Sequence, residues 1–416
     1  MTGLAATIRR DGNVLAPICA GHFLSHVYIL CLPPLFPLLH GELGVSYAAL
    51  GLVLTAFNVA AGMTQVPMGF VVDRLGGPII VAIGLGVEAG AVLFMGLAPE
   101  YAALLTLGVI AGIGHSVFHP AGYSIISANI DHGRIGKAFS LHTFAGHLGS
   151  AAAPATVIFI ATLFSWRHAL VAIGVLGLLA MMVILSQRER LTGVAQAPSS
   201  KGGGGRDGAS TKGGVAMLLS APMLFMFVFY VATSLTTSGV QSFSIAAMAA
   251  VHGATLATAG VALTGYLLAS SAGILAGGVL ADRVRRHDLV AILAFALTAV
   301  VMLWLGAVAV LMAAVVVLFT LVGFAQGLVR PARDMLVKAA TPPGGLGKAF
   351  GFVSLGISVG GALAPILFGW LLDIGRAEWV FYLIAAFMVM GIGAVVGGKR
   401  TTARLPHADD RGGMLP

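Results

Sequence analysis

Long apolar stretches alternate with short polar connections along the whole chain. A helix needs about 20 apolar residues to cross a bilayer, and charged residues, Gly/Pro clusters and polar turns mark the breaks between such stretches. Two spans are expected within residues 213–281, separating near 251–254. The other ten are predicted at 14–39, 46–72, 77–97, 101–127, 137–163, 168–186, 288–305, 309–331, 347–372 and 379–398. The pattern predicts an all-α membrane protein with twelve transmembrane helices.

Composition agrees with a chain that uses the bilayer as its solvent. Of 416 residues, 58% are hydrophobic and 9% are charged, whereas soluble domains carry roughly 25% charged residues. A water-facing surface cannot be built from so few charges. Arg9 and Arg10 precede an apolar stretch of spanning length that no small-residue cleavage site follows, so we expect the first helix to be retained rather than removed as a signal.

Basic residues are concentrated at every second connection. The intervening connections carry only Arg167 and Arg376. This is the positive-inside pattern, and it predicts a multi-pass protein of the cytoplasmic (inner) membrane with both termini in the cytoplasm. The formal charge of +8 does not indicate nucleic-acid binding, because no basic run alternates with aromatic residues in a soluble segment.

A Gly/Ser-rich segment divides the chain into two parts. Its composition is typical of a flexible linker. We predict an N-terminal six-helix bundle over 1–187, a cytoplasmic flexible linker over 188–214, a C-terminal six-helix bundle over 215–400 and a cytoplasmic tail over 401–416.

The two halves repeat one another at a shift of 211 positions. Without a gap, Gly112, Pro120, Gly136, Lys137, Phe139, Gly149 and Pro154 meet Gly323, Pro331, Gly347, Lys348, Phe350, Gly360 and Pro365. A shift of 209 aligns residues 69–74 with 278–283. Two related halves predict a pseudo-two-fold axis along the membrane normal and a substrate site between them near the midplane.

The Gly-x-x-x-Asp-Arg segments of this second match resemble the loop between the second and third helices of the major facilitator superfamily, and the resemblance extends over almost the whole chain. It implies the major facilitator fold of two pseudo-symmetric six-helix bundles. It also implies a gating role at the cytoplasmic face for Asp73, Arg74, Asp282 and Arg283, where the acids bond helix ends and latch the outward-facing state.

A narrower resemblance is to the fosmidomycin-resistance branch of bacterial exporters. It is carried by residues 112–120, Gly-Ile-Gly-His-Ser-Val-Phe-His-Pro, and by residues 21–26, Gly-His-Phe-Leu-Ser-His. The C-terminal half does not follow that branch closely. This resemblance implies export of a small solute.

Charged residues inside spans are functional candidates, because each costs about 2.5 to 3.5 kcal/mol on insertion scales. Arg330 occupies the repeat position of His119, and a guanidinium in a central cavity would bind a carboxylate or phosphonate through paired hydrogen bonds. Alternatively, Arg330, Arg333 and Asp334 form a cytoplasmic gate or an ion pair at a helix end. We place Arg333 with the gate and Asp334 with proton coupling or as a partner of the arginines.

Histidines are the second group of candidates. His22 and His26 lie four residues apart, as do His115 and His119, so each pair shares one helix face. We predict substrate contacts for all four and proton coupling for His119 and His26, since imidazole titrates near neutral pH. Metal binding is disfavoured because no cysteine or carboxylate clusters with them, and a purely structural helix contact is the remaining alternative.

Several further residues complete the candidate site. Glu88 is a candidate for proton coupling, although a buried carboxyl bonded to a neighbour is the favoured interpretation. His147, Gln241 and Gln326 are candidate substrate contacts. Pro154 and Pro365, in glycine-rich stretches of the fifth and eleventh helices, are candidate gating hinges.

These patterns predict a proton-linked secondary transporter of a small organic anion that works by alternating access, with export favoured over uptake. An uptake permease and a solute receptor without flux are the alternatives. No paired carboxylates, nucleophile elbow or phosphate loop indicates an enzyme. We expect no cofactor and no bound metal, a small-molecule substrate, protons and lipid as the partners, and a functional monomer.

Overall fold

The computed structural model describes residues 2–131, 133–192, 217–284, 286–342 and 345–402, with only the backbone described for 2–10 and 402. This part of the chain contains 12 helices long and apolar enough to cross a membrane. Most of their ends lie within four residues of the predicted ones, but the first helix begins before the predicted residue 14 and the tenth extends beyond the predicted residue 331 to Ala340. The spans are formed by Thr2–Ile29 with Phe36–Leu43, Tyr47–Leu75, Gly77–Leu97, Tyr101–His115 with Phe118–Asn129, Ile135–Leu163, Trp166–Ser186, Ala221–His252, Leu256–Arg283, His287–Ala307, Met312–Ala340, Leu346–Asp373 and Glu378–Thr402.

Local signals explain the predicted break at 251–254. The seventh span ends at His252, and Gly253 follows it with a φ of 63°, a left-handed conformation that glycine adopts readily. The eighth span starts after Thr255, whose side-chain oxygen accepts a hydrogen bond from the backbone N–H of Thr258. A glycine stop and a threonine N-cap therefore separate the two helices.

The repeat is visible in how the second and fourth spans pack. A Cβ added at Gly112 would lie 2.3 Å from the carbonyl oxygen of Phe57, and one at Gly323 would lie 2.1 Å from that of Tyr266. Both backbones approach too closely for any side chain larger than hydrogen. The eighth and tenth spans therefore pack like the second and fourth.

The first and fifth spans have a matching counterpart in the seventh and eleventh. A Cβ at Gly149 would lie 2.0 Å from the carbonyl oxygen of Phe23, and one at Gly360 would lie 2.6 Å from the Cβ of Ser234. Phe23 and Ser234 are themselves related by the shift of 211. The repeated glycines thus position equivalent helix pairs in the two halves.

The halves meet at the end of the bundle away from the chain termini, which we call the distal end. Asp373, at the end of the eleventh span, accepts hydrogen bonds from the backbone N–H groups of Tyr47 and Ala48 at 2.7 and 2.9 Å. These N–H groups open the second span and have no helical acceptor of their own. The carboxylate of one half therefore caps a helix of the other.

Close contact between the second and eleventh spans continues toward the middle of the bundle. A Cβ at Gly51 would lie 2.2 Å from the carbonyl oxygen of Pro365, and the Thr55 hydroxyl donates to the carbonyl oxygen of Ala362 at 2.8 Å. Beyond the bond from Asn58 to Gly361, no hydrogen bond joins the two helices among the described residues, and Gln65 and Ser358 line a cavity instead. The two helices separate there, so the molecule is closed at the distal end and open at the other.

The fifth and eighth spans form another contact between the halves. The Cδ1 atom of Ile158 lies 2.4 Å from where a Cβ at Gly260 would be. Beside this contact, Phe159 and Val261 are 64% and 58% exposed along an apolar groove. This contact is apolar, whereas that between the second and eleventh spans is hydrogen-bonded.

The predicted domain boundaries fall mostly beside residues that the structure does not describe. Within the proposed linker 188–214, Arg188–Leu191 form a short helix, and residues 193–214 lie outside the described part. The same holds for 403–416 of the predicted tail. The boundaries at 187 and 214 and the flexibility of the linker remain predictions.

Candidate functional site

A cavity of about 430 Å³ lies between the two halves and below their distal contact. Its wall comes from the first, second, seventh, tenth and eleventh spans. Two of the described lining residues are arginines and none is Asp or Glu. The polar lining residues are Asn58, Gln65, Tyr230, Thr233, Ser234, Thr237, Ser238, Gln241, Ser242, Arg330, Arg333 and Ser358. The cavity therefore offers two fixed positive charges together with neutral hydrogen-bonding groups.

Arg330 lines this cavity directly before Pro331 of the tenth span. Its Nη1 atom lies 3.2 Å from Nε2 of His147 on the fifth span, so the pair joins the two halves. Among the described residues, no carboxylate forms an ion pair with Arg330. The guanidinium has free donors that face the cavity.

Arg333 is held differently, although it lines the same cavity. Its guanidinium lies 4.3 Å from the centre of the Tyr230 ring, a cation–π arrangement. Its Nε donates to Asp334 at 3.3 Å, and the Tyr230 hydroxyl donates to the same carboxylate oxygen at 3.1 Å. Asp334 balances the charge of Arg333, which leaves Arg330 as the cation without a carboxylate partner.

Six histidines gather in the N-terminal half behind the cavity wall. The ring of His22 lies 4.1 Å from that of His142, 4.7 Å from that of His26 and 5.5 Å from that of His119, between ring centroids. The ring of His26 lies 6.3 Å from those of both His115 and His147. We refer to these residues as the histidine cluster: His22, His26, His115, His119, His142 and His147.

Two glycines make room for the cluster. A Cβ at Gly146 would lie 2.8 Å from ring atoms of both His22 and His26, and one at Gly122 would lie 2.8 Å from Nε2 of His142. The rings therefore occupy space that any other residue would fill. No three described His, Cys, Asp or Glu side chains are arranged to hold a metal ion.

The cluster is tied to neighbouring spans by hydrogen bonds. Nδ1 of His26 lies 3.0 Å from the Ser150 hydroxyl. Nδ1 of His115 lies 3.1 Å from Oε1 of Glu88, which is completely buried in the third span. Glu88 is thus a buried carboxyl bonded to a neighbour, and that neighbour belongs to the cluster.

Comparisons with known proteins identify this architecture. The family model described as Major Facilitator Superfamily matches residues 18–245 and 226–411. The chain belongs to the Major Facilitator Superfamily. It is therefore a multi-pass membrane transport protein and not an enzyme, from a family whose members export or import small organic solutes.

The individual proteins that this facilitator resembles have low sequence identity to it. The Fosmidomycin resistance protein of Escherichia coli (strain K12) is 24% identical over 399 residues, which cover 92% of each chain. A probable L-galactonate transporter of the same strain is 26% identical over 161 residues, covering 38% of this chain and 36% of its own. A bacterial homologue of the human lysosomal transporter Spinster, solved inward-facing and unoccupied, has a TM-score of 0.77 at 16% identity and covers 95% and 97% of the two chains. The structural likeness supports the fold alone.

Not every predicted substrate contact of the facilitator lies at the cavity. Gln241 and Arg330 line it, and His147 reaches Arg330. Gln326 does not line it, because its amide points into the C-terminal half and donates to the Thr298 hydroxyl at 2.8 Å. Its predicted contact with substrate is not seen in this conformation and remains a prediction.

The other histidines stand one layer behind the lining. His22, His26, His115 and His119 contact one another but do not belong to the cavity wall. A bound solute would reach them through His147 or by a change in the shape of the cavity. Their predicted direct contact with substrate is not seen in this conformation.

The sequence reasoning missed the hydroxyl side chains of the cavity. Thr233, Thr237 and Ser358 line it, and they hold the positions that the shift of 211 relates to His22, His26 and His147. Searching the repeat for the partners of the histidines would have found them. Without that step they resemble ordinary small polar residues of a membrane helix.

The predicted gating residues lie at both ends of the facilitator. Asp73, Arg74, Asp282 and Arg283 are exposed at the open end, and within the described part of the chain none has a side-chain hydrogen bond or ion pair. Pro365 lies at the distal contact beside Gly51. Two gating candidates remain. Pro154 is buried in the fifth span, and Arg333 forms an ion pair with Asp334.

Proposed function

We propose that this chain is a secondary active transporter that moves a small organic anion across the cytoplasmic membrane by proton-coupled alternating access. Arg330 carries the proposal: its charge faces a cavity between two pseudo-symmetric halves, and no described residue of the cavity wall is a carboxylate. A charge placed within a membrane is costly and marks a functional site by default. An anionic solute supplies the missing partner.

The chemistry of the two arginines separates their roles. Arg333 already has Asp334 as its partner, so it shapes the wall and the gate. Arg330 has donors left for an oxyanion and can bind two of its oxygens side by side. Thr233, Thr237 and Gln241 would bond the hydroxyl or carbonyl groups of the same solute.

Alternating access follows from the one-sided contact of the halves. The distal end is closed by Asp373 and by the approach of Gly51 to Pro365, while the other end is open. The positive-inside distribution assigns the open end to the cytoplasm. The conformation is then inward-facing, and rocking of the halves about the cavity would expose it to the other side.

Export is the first candidate direction, because a relative that matches 92% of the chain is a Fosmidomycin resistance protein. Uptake is the second. It is favoured by the partial likeness to a probable L-galactonate transporter and by the contact between Arg330 and His147. Both directions share the same anion site, and we expect the monomer to be sufficient for transport.

Proton flux in proteoliposomes tests the proposal. Purified protein would be reconstituted with a pH-sensitive dye in the lumen and challenged with galactonate, malonate, fosmidomycin and a cationic dye, with protein-free liposomes as the control. We expect a pH response to one or more anions and none to the cation. A response to the cation alone would contradict the anion site, and binding without flux would favour the receptor alternative.

A further inference from the structure

We infer that His147 takes up one proton when an anion binds Arg330, so that anion and proton cross the membrane together. The inference rests on the proposed anion transport and decides between its two directions. It starts from one contact, between Nη1 of Arg330 and Nε2 of His147 at 3.2 Å, which joins the tenth span to the fifth.

Donor chemistry determines the state of His147 in this contact. A guanidinium has five N–H donors and no acceptor, so an atom that bonds to it must offer a lone pair. Nε2 of His147 therefore carries no hydrogen here, and the ring is neutral with its proton on Nδ1. In this contact a neutral imidazole therefore lies against a permanent cation.

An arriving anion changes what Nε2 faces. Its oxygens would accept the guanidinium hydrogens that now point at His147, and the lone pair of Nε2 would then meet an anionic oxygen. Two acceptors in contact repel each other, whereas a proton on Nε2 converts the ring into a charged donor. This proton comes from the bulk solution, relayed to Nε2 by water that enters the cavity, and no covalent bond of the solute forms or breaks.

The surroundings of His147 make proton and anion depend on each other. Among the described residues, the titratable or charged groups that face it are Arg330 from the tenth span and His26 from the first, whose ring lies 6.3 Å away. Behind His26 stand His22, His115 and, next to His22, His119. An imidazolium beside Arg330 is repelled until an anion lies between them, since no described carboxylate lines that part of the cavity.

The direction of coupling follows from this mutual dependence. A monoanion that enters with one proton adds no net charge to the site, so its transport is electroneutral. Because proton and anion occupy the site together, they move in the same direction, and an inward proton gradient then drives uptake. Export by exchange would require the proton to bind as the anion leaves, which is the opposite order.

Isothermal titration calorimetry measures the number of protons taken up per anion bound. Galactonate binding to the detergent-purified full chain would be titrated in two buffers of different ionisation enthalpy, and malonate would be tested in the same way. We expect about one proton taken up per anion by the unmodified protein and none by His147→Gln. His168→Gln, an exposed histidine at the distal start of the sixth span, is the matched control and should still take up one.

The pH dependence of affinity is an independent measure of the same linkage. At pH values where the free His147 is neutral, Kd for galactonate should rise about tenfold per pH unit, since binding and protonation are reciprocal. His147→Gln should flatten this dependence while retaining an amide that can donate to the anion. The phosphonate of fosmidomycin itself titrates. For this ligand, the difference in pH dependence between the unmodified protein and His147→Gln gives the number of protons that His147 takes up.

Flux gives the sign of the coupling. Galactonate added outside proteoliposomes should acidify the lumen, whatever the orientation of the protein, and a potential set with potassium and valinomycin should not change the rate. Alkalinisation of the lumen, or anion binding without proton uptake by the unmodified protein, would overturn the inference and leave anion transport intact. Failure of every anion in the panel to bind would overturn the proposed function together with the inference.

Discussion

The two halves of this facilitator place a polar pair at the same point in their third and fourth helices. In the N-terminal half, Glu88 bonds to His115 at 3.1 Å, and in the C-terminal half Thr298 bonds to Gln326 at 2.8 Å. Both pairs are largely buried. Both halves therefore bury a polar pair between their third and fourth helices. The pair is ionisable in the N-terminal half and neutral in the C-terminal half.

The same difference extends to the central helices. His119 and Arg330 are equivalent in the repeat, as are His26 and Thr237. The N-terminal half holds titratable rings behind the cavity wall, and the C-terminal half supplies the cation and hydroxyls of the wall itself. The two halves thus keep polar groups at equivalent positions. In the N-terminal half these groups can bind protons, and in the C-terminal half they can bind an anion.

The largest expected effect is on the two buried pairs. His115→Leu leaves the carboxyl of Glu88 without a partner and should lower stability by about 3 kcal/mol. Gln326→Leu should cost about 1 kcal/mol, because the Thr298 hydroxyl still donates to the carbonyl oxygen of Ala294. Thermal unfolding in detergent would compare the two.

A double variant separates the loss of the pair from the loss of packing. Glu88→Leu combined with His115→Leu removes both polar partners and should recover much of the stability lost by the single His115 change. Equal losses for His115→Leu and Gln326→Leu would contradict the contrast between the halves.

Arg330→Lys tests the cation of the C-terminal half. Lysine keeps the charge but lacks the planar guanidinium that donates two parallel hydrogen bonds. Anion affinity should therefore fall by about 2 kcal/mol, roughly 30-fold, with expression unchanged. Arg376→Lys, an exposed position at the distal end, should bind normally. Near-normal affinity of the Arg330 variant would remove this residue from the site.

The glycine contacts of the second and eighth spans with the opposite half should differ in their tolerance of a methyl group. At Gly51 it would meet the backbone of Pro365, whereas at Gly260 it would meet the tip of the Ile158 side chain. Gly51→Ala should oppose distal closure by about 1.5 kcal/mol, and Gly260→Ala should have little effect because a side chain can move.

Thiol labelling measures that closure. Leu54 lines the cavity, so Leu54→Cys in a Cys19→Ser, Cys31→Ser background reports access from the distal side to an impermeant maleimide. Gly51→Ala should accelerate labelling by about tenfold relative to Gly260→Ala. Identical rates would show that the approach of Gly51 to Pro365 does not control closure.

The smallest expected effect concerns the cap on the second span. Asp373→Asn keeps one of the two oxygen acceptors but loses the other together with the charge that faces the helix N-terminus, a loss of about 1 kcal/mol or less. Labelling of Leu54→Cys should therefore rise about threefold. Glu378→Gln, whose carboxylate pairs with Arg376 within the same half, serves as control, and an unchanged rate for Asp373→Asn would argue against a cap across the halves.

Much of the fold could be predicted because it depends on local or repeated signals. Apolar length marks the spans, and Gly253 with Thr255 marks the break in the longest uncharged stretch. The equivalence of Gly112 and Gly323 could be seen in the repeat before their common packing was known. The bond of Gln326 to Thr298 could not be predicted, because a helix position fixes a residue's neighbours only after the packing of the helix is known.

By itself, the sequence determined the number of spans, the duplication and the presence of Arg330 and the histidines at membrane depth, because hydropathy and spacing act along one chain. Only the tertiary structure decided that Arg330 meets His147, that Asp334 balances Arg333 and that Asp373 caps the second span. Arg333 and Asp334 are neighbours on the tenth span, whereas the other two contacts join helices of different halves. Such contacts depend on how the helices rotate and tilt against each other, which apolar periodicity in a nearly uniform hydrophobic chain does not specify.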